Sequence, residues 1–311
     1  MIWIHFLLFA IGVLLVVKGG DFFVDAASFI AKSSGIPQFI IGATIVSVAT
    51  TLPEMIVSII AAAEGKIDMA VGNAIGSVTA NTGIILAIAM IFLIIIIRRE
   101  DYIVQCLLLI SSAIVLILGS IGGFLATWSC IVLALFFILF VIINVKKAKS
   151  EIAVAEKSKY TGKEFWINIL KFVLGAIGIV GGSQLLVSSG SEIAVFFGIP
   201  ERVIAVTMVA IGTSLPELVT TITAITKKRA SLSIGNIIGA NLIDLSLILP
   251  ICALVSGKAL PIPHQTMTID LPVCLGLITL AIVPLLIKKK SSRIIGFLMF
   301  AVYCAYIVIV I

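Results

Sequence analysis

The chain has 311 residues, of which 61% are hydrophobic and 12% charged, with a mean hydropathy of +1.30 and a formal net charge of +6. A soluble domain carries about 25% charged residues, so the composition excludes a water-soluble globular class. Apolar runs of about 18 residues or more recur throughout without strand-like alternation, which points to a polytopic helical membrane protein and away from a β-barrel.

The N-terminal run MIWIHFLLFAIGVLL has neither the basic n-region nor the small-residue cleavage site of a signal peptide, and reads as the first span. Ten helical spans are predicted, near 3–31, 37–63, 69–97, 102–121, 125–145, 164–193, 200–226, 231–254, 267–287 and 293–311. The one long hydrophilic stretch, 146–164, divides the chain into a five-span half at 1–145, a linker at 146–163, and a second five-span half at 164–311. Of the 21 Lys and Arg, sixteen fall on one alternating set of connections, at 32, 98–99, 146–163, 227–229 and 288–293. Only Lys66, Arg202 and Lys258 fall on the other set. The positive-inside rule places the first set in the cytoplasm and both termini outside. The basic excess is therefore a topology signal, and no nucleic-acid partner is expected. The five cysteines are scattered in or beside apolar runs, where they serve packing rather than a disulfide or zinc framework.

Residues 41–88 and 204–251 align without a gap at an offset of 163, with 16 of 48 positions identical. The identities include T-x-L-P-E at 50–54 and 213–217 and G-N-x-I-G at 72–76 and 235–239. Chance likeness between greasy helices would match Leu, Ile and Val; here Pro, Glu, Asn and Gly match, so the chain is an internal duplication. An odd number of spans per half makes the second half enter from the opposite side. The expected fold is all-α, ten transmembrane helices as two inverted-topology five-helix repeats, a secondary-transporter architecture with its site at the midplane.

A carboxylate at the bilayer centre costs about 2.5–3.5 kcal/mol on insertion scales. Glu54, Glu217 and Asp244 sit deep in spans, and Asn81 is the repeat equivalent of Asp244. Thr50, Thr51, Ser77, Thr213, Ser214, Asn73 and Asn236 surround them in the sequence. Pro53 and Pro216 precede the two glutamates, and a mid-helix proline frees carbonyls four residues back and bends the helix. Gly72, Gly76, Gly235 and Gly239 have the small-xxx-small spacing that lets spans 3 and 8 approach spans 2 and 7. The donor set is all hard oxygen, with the two histidines at span ends. It suits Ca2+ best, with Na+ as the competing hard cation.

At these residues the two segments resemble the α-repeats of the cation/Ca2+ exchanger superfamily. The pattern G-[TS]-[ST]-x-P-E with G-N-x-x-G-[SA]-x-x-x-[ND] is closest to compact prokaryotic Na+/Ca2+ exchangers. The resemblance implies Glu54 and Glu217 as central Ca2+ ligands, with oxygens of Thr50 and Thr213 serving Ca2+ and Na+. It implies that the carbonyls of Ser47 and Ala210, with Thr51, Ser77 and Ser214, complete sodium sites, and that Asn81 and Asp244 hold the middle position. It further implies that spans 1 and 6 slide across the core. Two departures stand out: Ala49 and Thr51 replace the usual Gly and Ser, and Ala240 stands where a serine hydroxyl is expected opposite Ser77. The H+/Ca2+ branch carries an acid where this chain has Gly76 and Gly239, which favours Na+.

The expected function is Ca2+ export in exchange for Na+, without a cofactor and not as an enzyme, by a monomer in the cell (inner) membrane. An H+- or K+-coupled antiporter on the same fold is the alternative, kept open by Ala240. An ion channel on the same site is disfavoured by the inverted repeat with its two occluding glutamates. A nucleotide-driven pump or membrane enzyme lacks its phosphate-binding loop.

Overall fold

The computed structural model describes residues 2–94, 96–154, 162–198, 210–257 and 259–310. Among them are helices α1 (Ile2–Ser34), α2 (Gln38–Ala63), α3 (Ile67–Phe92), α4 (Arg99–Ser120), α5 (Thr127–Val154) and α6 (Gly162–Phe196). They continue with α7, in two pieces (Ala210–Thr213 and Leu215–Thr226), then α8 (Ala230–Ser256), α9 (Thr266–Lys288) and α10 (Arg293–Val310). Nine of these helices are long and apolar enough to cross a membrane, and the described part of α7 is shorter. The start of the seventh predicted span, and Arg202 and Lys258 with it, lie outside the described residues. The chain is an all-helical, multi-pass membrane protein.

Burial ranks the helices. The apolar windows of α3 and α8 are each 72% buried, whereas those of α1 and α10 are 17% buried. The polar G-N-x-I-G helices thus form the centre and the uniformly greasy ones the rim. This inverts the soluble-protein pattern, because the surrounding solvent is lipid. Glycines bring backbones together at the centre. A Cβ on Gly42 would collide with the carbonyl of Leu232, one on Gly235 with that of Phe39, and one on Gly239 with that of Ala43. So α2 and α8 touch backbone to backbone, and the small residues of span 8 meet span 2 of the other half. Nothing lies within 4 Å of a Cβ on Gly72 or Gly76 among the described residues. Their repeat-equivalent partners, 202 and 206, lie outside them.

A second glycine seam joins α1 to α6. A Cβ on Gly12 would lie 3.0 Å from the Gly182 carbonyl oxygen, and one on Gly19 would lie 2.9 Å from that of Gly175. Gly175 and Gly182 are Gly12 and Gly19 advanced by the repeat offset of 163.

Short loop pairings clasp the bundle at both ends of α4. At one end, the Ile97 amide donates to the Lys289 carbonyl at 3.0 Å, and the Ser291 hydroxyl to the Leu93 carbonyl at 3.2 Å. At the other, the Leu125 amide donates to the Leu260 carbonyl at 2.8 Å, and the Ile262 amide to the Gly123 carbonyl at 2.9 Å.

The two prolines act differently. The helix Ser47–Ala63 runs on through Pro53 and does not end there. The loss of one amide donor is absorbed without ending the helix, and the irregularity lies upstream in a π-helical turn at Gly42–Val46. In α7 the helix does break, at Ser214, and Pro216 occupies the first turn of the next piece, where a proline costs least.

Candidate functional site

Glu54 on α2, Glu217 on α7 and Asp244 on α8 are all buried, with Asn81 on α3 beside them in burial. Thr50, Thr51, Ser47, Ser77 and Ser214 are buried as well, and Thr213 is half-buried. Of Ala210 only the backbone is described, as the first residue of α7.

Hydrogen bonds cross between the two halves. The Thr50 hydroxyl donates to Asn236 Oδ1 at 3.1 Å, and the Thr213 hydroxyl to Asn73 Oδ1 at 3.4 Å. These are the same bond in each repeat, since 213 and 236 are 50 and 73 plus 163. Asn73 also donates its amide to the Glu54 carbonyl at 3.2 Å and to the Ser58 hydroxyl at 2.9 Å. The two asparagines therefore set the threonines, and Asn73 holds the backbone under Glu54.

The acids themselves are treated unequally. Thr51 donates to Glu217 Oε1 at 3.2 Å. Both carboxylate oxygens of Glu54, both of Asp244, and Oε2 of Glu217 have no hydrogen-bond donor. The Asn81 side-chain oxygen and the Ser214 hydroxyl are likewise buried and unpartnered. Buried polar oxygens left bare are costly, roughly 1–3 kcal/mol each and more when charged, so such a concentration calls for a positive ligand. No three His, Cys, Asp or Glu side chains among the described residues cluster tightly enough to hold a metal by themselves. Coordination here would have to enlist the neutral hydroxyl, amide and carbonyl oxygens, a donor set for a large hard cation.

Asn81 and Asp244 each open a π-helical turn, Asn81–Leu86 and Asp244–Ile248. A π turn displaces one carbonyl from the regular ladder and is common at functional sites. Ser47 turns its hydroxyl to the Thr44 carbonyl at 3.0 Å, and its own carbonyl accepts from the Thr50 hydroxyl at 3.3 Å. Ala240 is fully buried, and its neighbour Asn241 donates its amide to the Thr82 hydroxyl at 2.9 Å while its side-chain oxygen is buried without a donor. The Asn241–Thr82 pair and the three π turns carry no signal in the sequence beyond polar residues in apolar spans.

Fold and centre together define a polytopic membrane protein with a buried, acid-centred oxygen site between duplicated helix pairs. The family model described as sodium/calcium exchanger protein matches residues 4–146 and 167–311, and the chain belongs to that family. It is 33% identical to the inner membrane protein YrbG of Escherichia coli (strain K12), over 83% of this chain and 82% of that one. It is 27% identical to the sodium/calcium exchanger MaX1 of Methanosarcina acetivorans over 99% of both chains. A solved structure of the sodium-calcium exchanger NCX_Mj, soaked with Na+ and Ca2+, matches with a TM-score of 0.83 at 29% identity, covering 99% of both chains.

Proposed function

We propose that this protein exports Ca2+ in exchange for Na+ by alternating access, electrogenically. The observation that carries this reading is the pair of buried glutamates whose flanking threonines are cross-linked to the opposite repeat through Asn236 and Asn73. Glu54 and Glu217 are the central Ca2+ ligands, with oxygens of Thr50 and Thr213 serving both Ca2+ and Na+. The carbonyls of Ser47 and Ala210, with Thr51, Ser77 and Ser214, complete the Na+ sites, and Asn81 and Asp244 form the middle position. Three acids present up to three negative charges. Three Na+ would neutralise all of them, and one Ca2+ two, so the two loads compete. The ion-free site holds uncompensated buried charge, which opposes empty transitions and enforces exchange.

The two halves, 1–145 and 164–311 about the 146–163 linker, are inverted repeats making ten spans. Reciprocal Thr–Asn bonds and the glycine seam, both related by the one offset, support that reading. The basic connections face the cytoplasm of a cell membrane and both termini face out. The chain works as a monomer in lipid. The names of MaX1 and NCX_Mj support Na+ and Ca2+ as the exchanged ions.

The test is Ca2+ uptake into proteoliposomes loaded with Na+, with K+, or at acid internal pH. Uptake confined to Na+-loaded vesicles is expected. A second reading, proton coupling, is favoured by one observation, the missing hydroxyl at Ala240; uptake driven by the pH gradient alone would establish it and overturn the first.

A further inference from the structure

One lysine is bonded across a helix seam that the ion site does not explain. Lys227, just past the end of α7, reaches back to α1. Its Nζ lies 2.6 Å from Asp25 Oδ2 and 3.1 Å from Asp21 Oδ1, and it donates to the Asp21 carbonyl at 3.2 Å. One turn earlier on each helix the contact is close: a Cβ on Gly20 would lie 2.7 Å from the Thr223 hydroxyl and 3.0 Å from Val219 Cγ1. The same helix piece, Leu215–Thr226, carries Glu217 in its first turn. Lys227 is thus about 15 Å along a rigid rod from the site, at 1.5 Å per residue.

What Lys227 holds is a unit of two helices. At the Gly12–Gly182 and Gly19–Gly175 crossings no side chain separates α1 from α6, so the pair moves together. Its attachment to α7 through Lys227 joins that pair to the ion-binding core. The repeat makes a control at the opposite end. Stepping back by 163 turns Lys227 into Glu64, and stepping forward turns Asp21 and Asp25 into Gln184 and Ser188. Glu64 pairs with Lys66 at 2.7 Å instead, and the Ser188 hydroxyl donates to the Leu185 carbonyl of its own helix at 3.3 Å. The mirrored seam between α6 and α2 carries no such ion pair among the described residues.

We propose that Lys227, Asp21 and Asp25 are positioning residues for exchange: a one-sided latch that fastens the α1–α6 pair to α7 at the basic, cytoplasmic end and biases the site toward opening outward. The proposal rests on the alternating-access reading for its meaning, though the latch itself is a physical contact that can be tested alone. Partial exposure of all three side chains, 23% for Lys227, 43% for Asp21 and 61% for Asp25, weakens the pairing by solvent screening. The bias expected is therefore modest, about two- to fivefold in the balance of the two access states. Removing the lysine also leaves Asp21 and Asp25 as uncompensated like charges one turn apart on α1, which loosens that helix locally.

The experiment uses the full chain in lipid nanodiscs and in proteoliposomes of defined orientation, comparing wild type, Lys227→Gln, Asp25→Asn and the charge-reversed triple variant Lys227→Glu with Asp21→Lys and Asp25→Lys. Hydrogen–deuterium exchange of the backbone at 20–27 and 219–227 is expected to speed about two- to fivefold in both single variants and to return to wild type in the reversal, on the scale of the screened pairing. The mirrored seam at 56–64 should be unchanged in all. In flux, the Ca2+ concentration for half-maximal transport from the cytoplasmic face should fall in the single variants by the same factor and that from the outer face should rise, because apparent affinity follows the fraction in the competent state. Wild-type exchange rates in the single variants would overturn the latch, as would a reversal that fails to restore them, since packing rather than charge would then hold the seam. Absence of Na+-driven Ca2+ flux in the wild type would instead sink the transport reading, with amide exchange still judging the contact.

Discussion

Replacing Glu54 by glutamine separates the two roles that burial imposes on this side chain. The residue is 1% exposed and neither carboxylate oxygen has a donor. With Ca2+ bound, deleting its charge removes one partner of a buried charge pair, a loss of about 3–5 kcal/mol. At about 1.4 kcal/mol per decade, that is roughly a hundred- to a few-thousandfold in Ca2+ affinity. Without ions the sign reverses. The ionised carboxylate costs about 2.5–3.5 kcal/mol at the membrane centre, whereas a neutral amide risks an unpaired polar group worth about 1–3 kcal/mol. The ion-free variant should therefore be the more stable by about 1 kcal/mol, a rise of about 1.5 °C in Tm for a chain of this length. The assay pairs radioactive Ca2+ uptake into Na+-loaded vesicles with thermal unfolding in Na+-free, Ca2+-free detergent, and wild-type Tm should climb with added Ca2+ while the variant's does not. Near-normal uptake by Glu54→Gln, or a fall in its ion-free Tm, would refute the reasoning.

Restoring a hydroxyl with Ala240→Ser should lower the Na+ concentration that half-inhibits Ca2+ uptake by about two- to twelvefold, the range of one hydrogen-bond-sized contact; no change would remove Ala240 from the sodium path. Gly42→Ala puts a methyl into the Leu232 carbonyl at the α2–α8 contact and should cost about 1–3 kcal/mol by overpacking, seen as a lower unfolding midpoint in detergent; a stable variant with normal flux would mean that the contact is loose. Burial works against the charge of Lys227, but the hydrogen bonds it donates to Asp25 and Asp21, with their charges, outweigh it and hold the ammonium above its usual 10.5. A raised lysine value stabilises the folded seam fully below the ordinary value and loses that stabilisation only as pH climbs through the raised one. The amide-exchange rate of residues 20–27 should accordingly stay flat from about pH 7 to about pH 9, after correction for intrinsic exchange; acceleration within that window would contradict the pairing.

The acids could be read from the chain because charge in an apolar run is expensive, and the duplication because its matches are Pro, Glu, Asn and Gly rather than interchangeable aliphatics. The polar complement Thr50, Thr51, Ser77 and Ser214 followed from the same spacing, and all four are buried. What stayed hidden depends on tertiary contact. The π turns opening at Asn81 and Asp244 are backbone adjustments to neighbouring helices, and no side chain announces them. The different behaviour of Pro53 and Pro216 is invisible in two matching pentapeptides, because proline only removes a donor and the surroundings decide whether the helix ends. The seam of Gly12 and Gly19 against Gly175 and Gly182 was present at the same offset, outside the two aligned segments. The pairing of Lys227 with Asp25, 202 positions apart, has no local signature at all.

The bond from Thr50 to Asn236 bears on how the molecule is made. Its two ends lie 186 positions apart, and the Gly42 contact with Leu232 spans a similar stretch. At roughly 5–20 residues per second, the ribosome delivers the first end about ten to forty seconds before the second. Throughout that interval Glu54 is already in a nascent helix whose partner helix has not been synthesised. Until α8 emerges, the early helices therefore bear the cost of a carboxylate in an apolar span, about 2.5–3.5 kcal/mol, without the partners that the finished centre supplies.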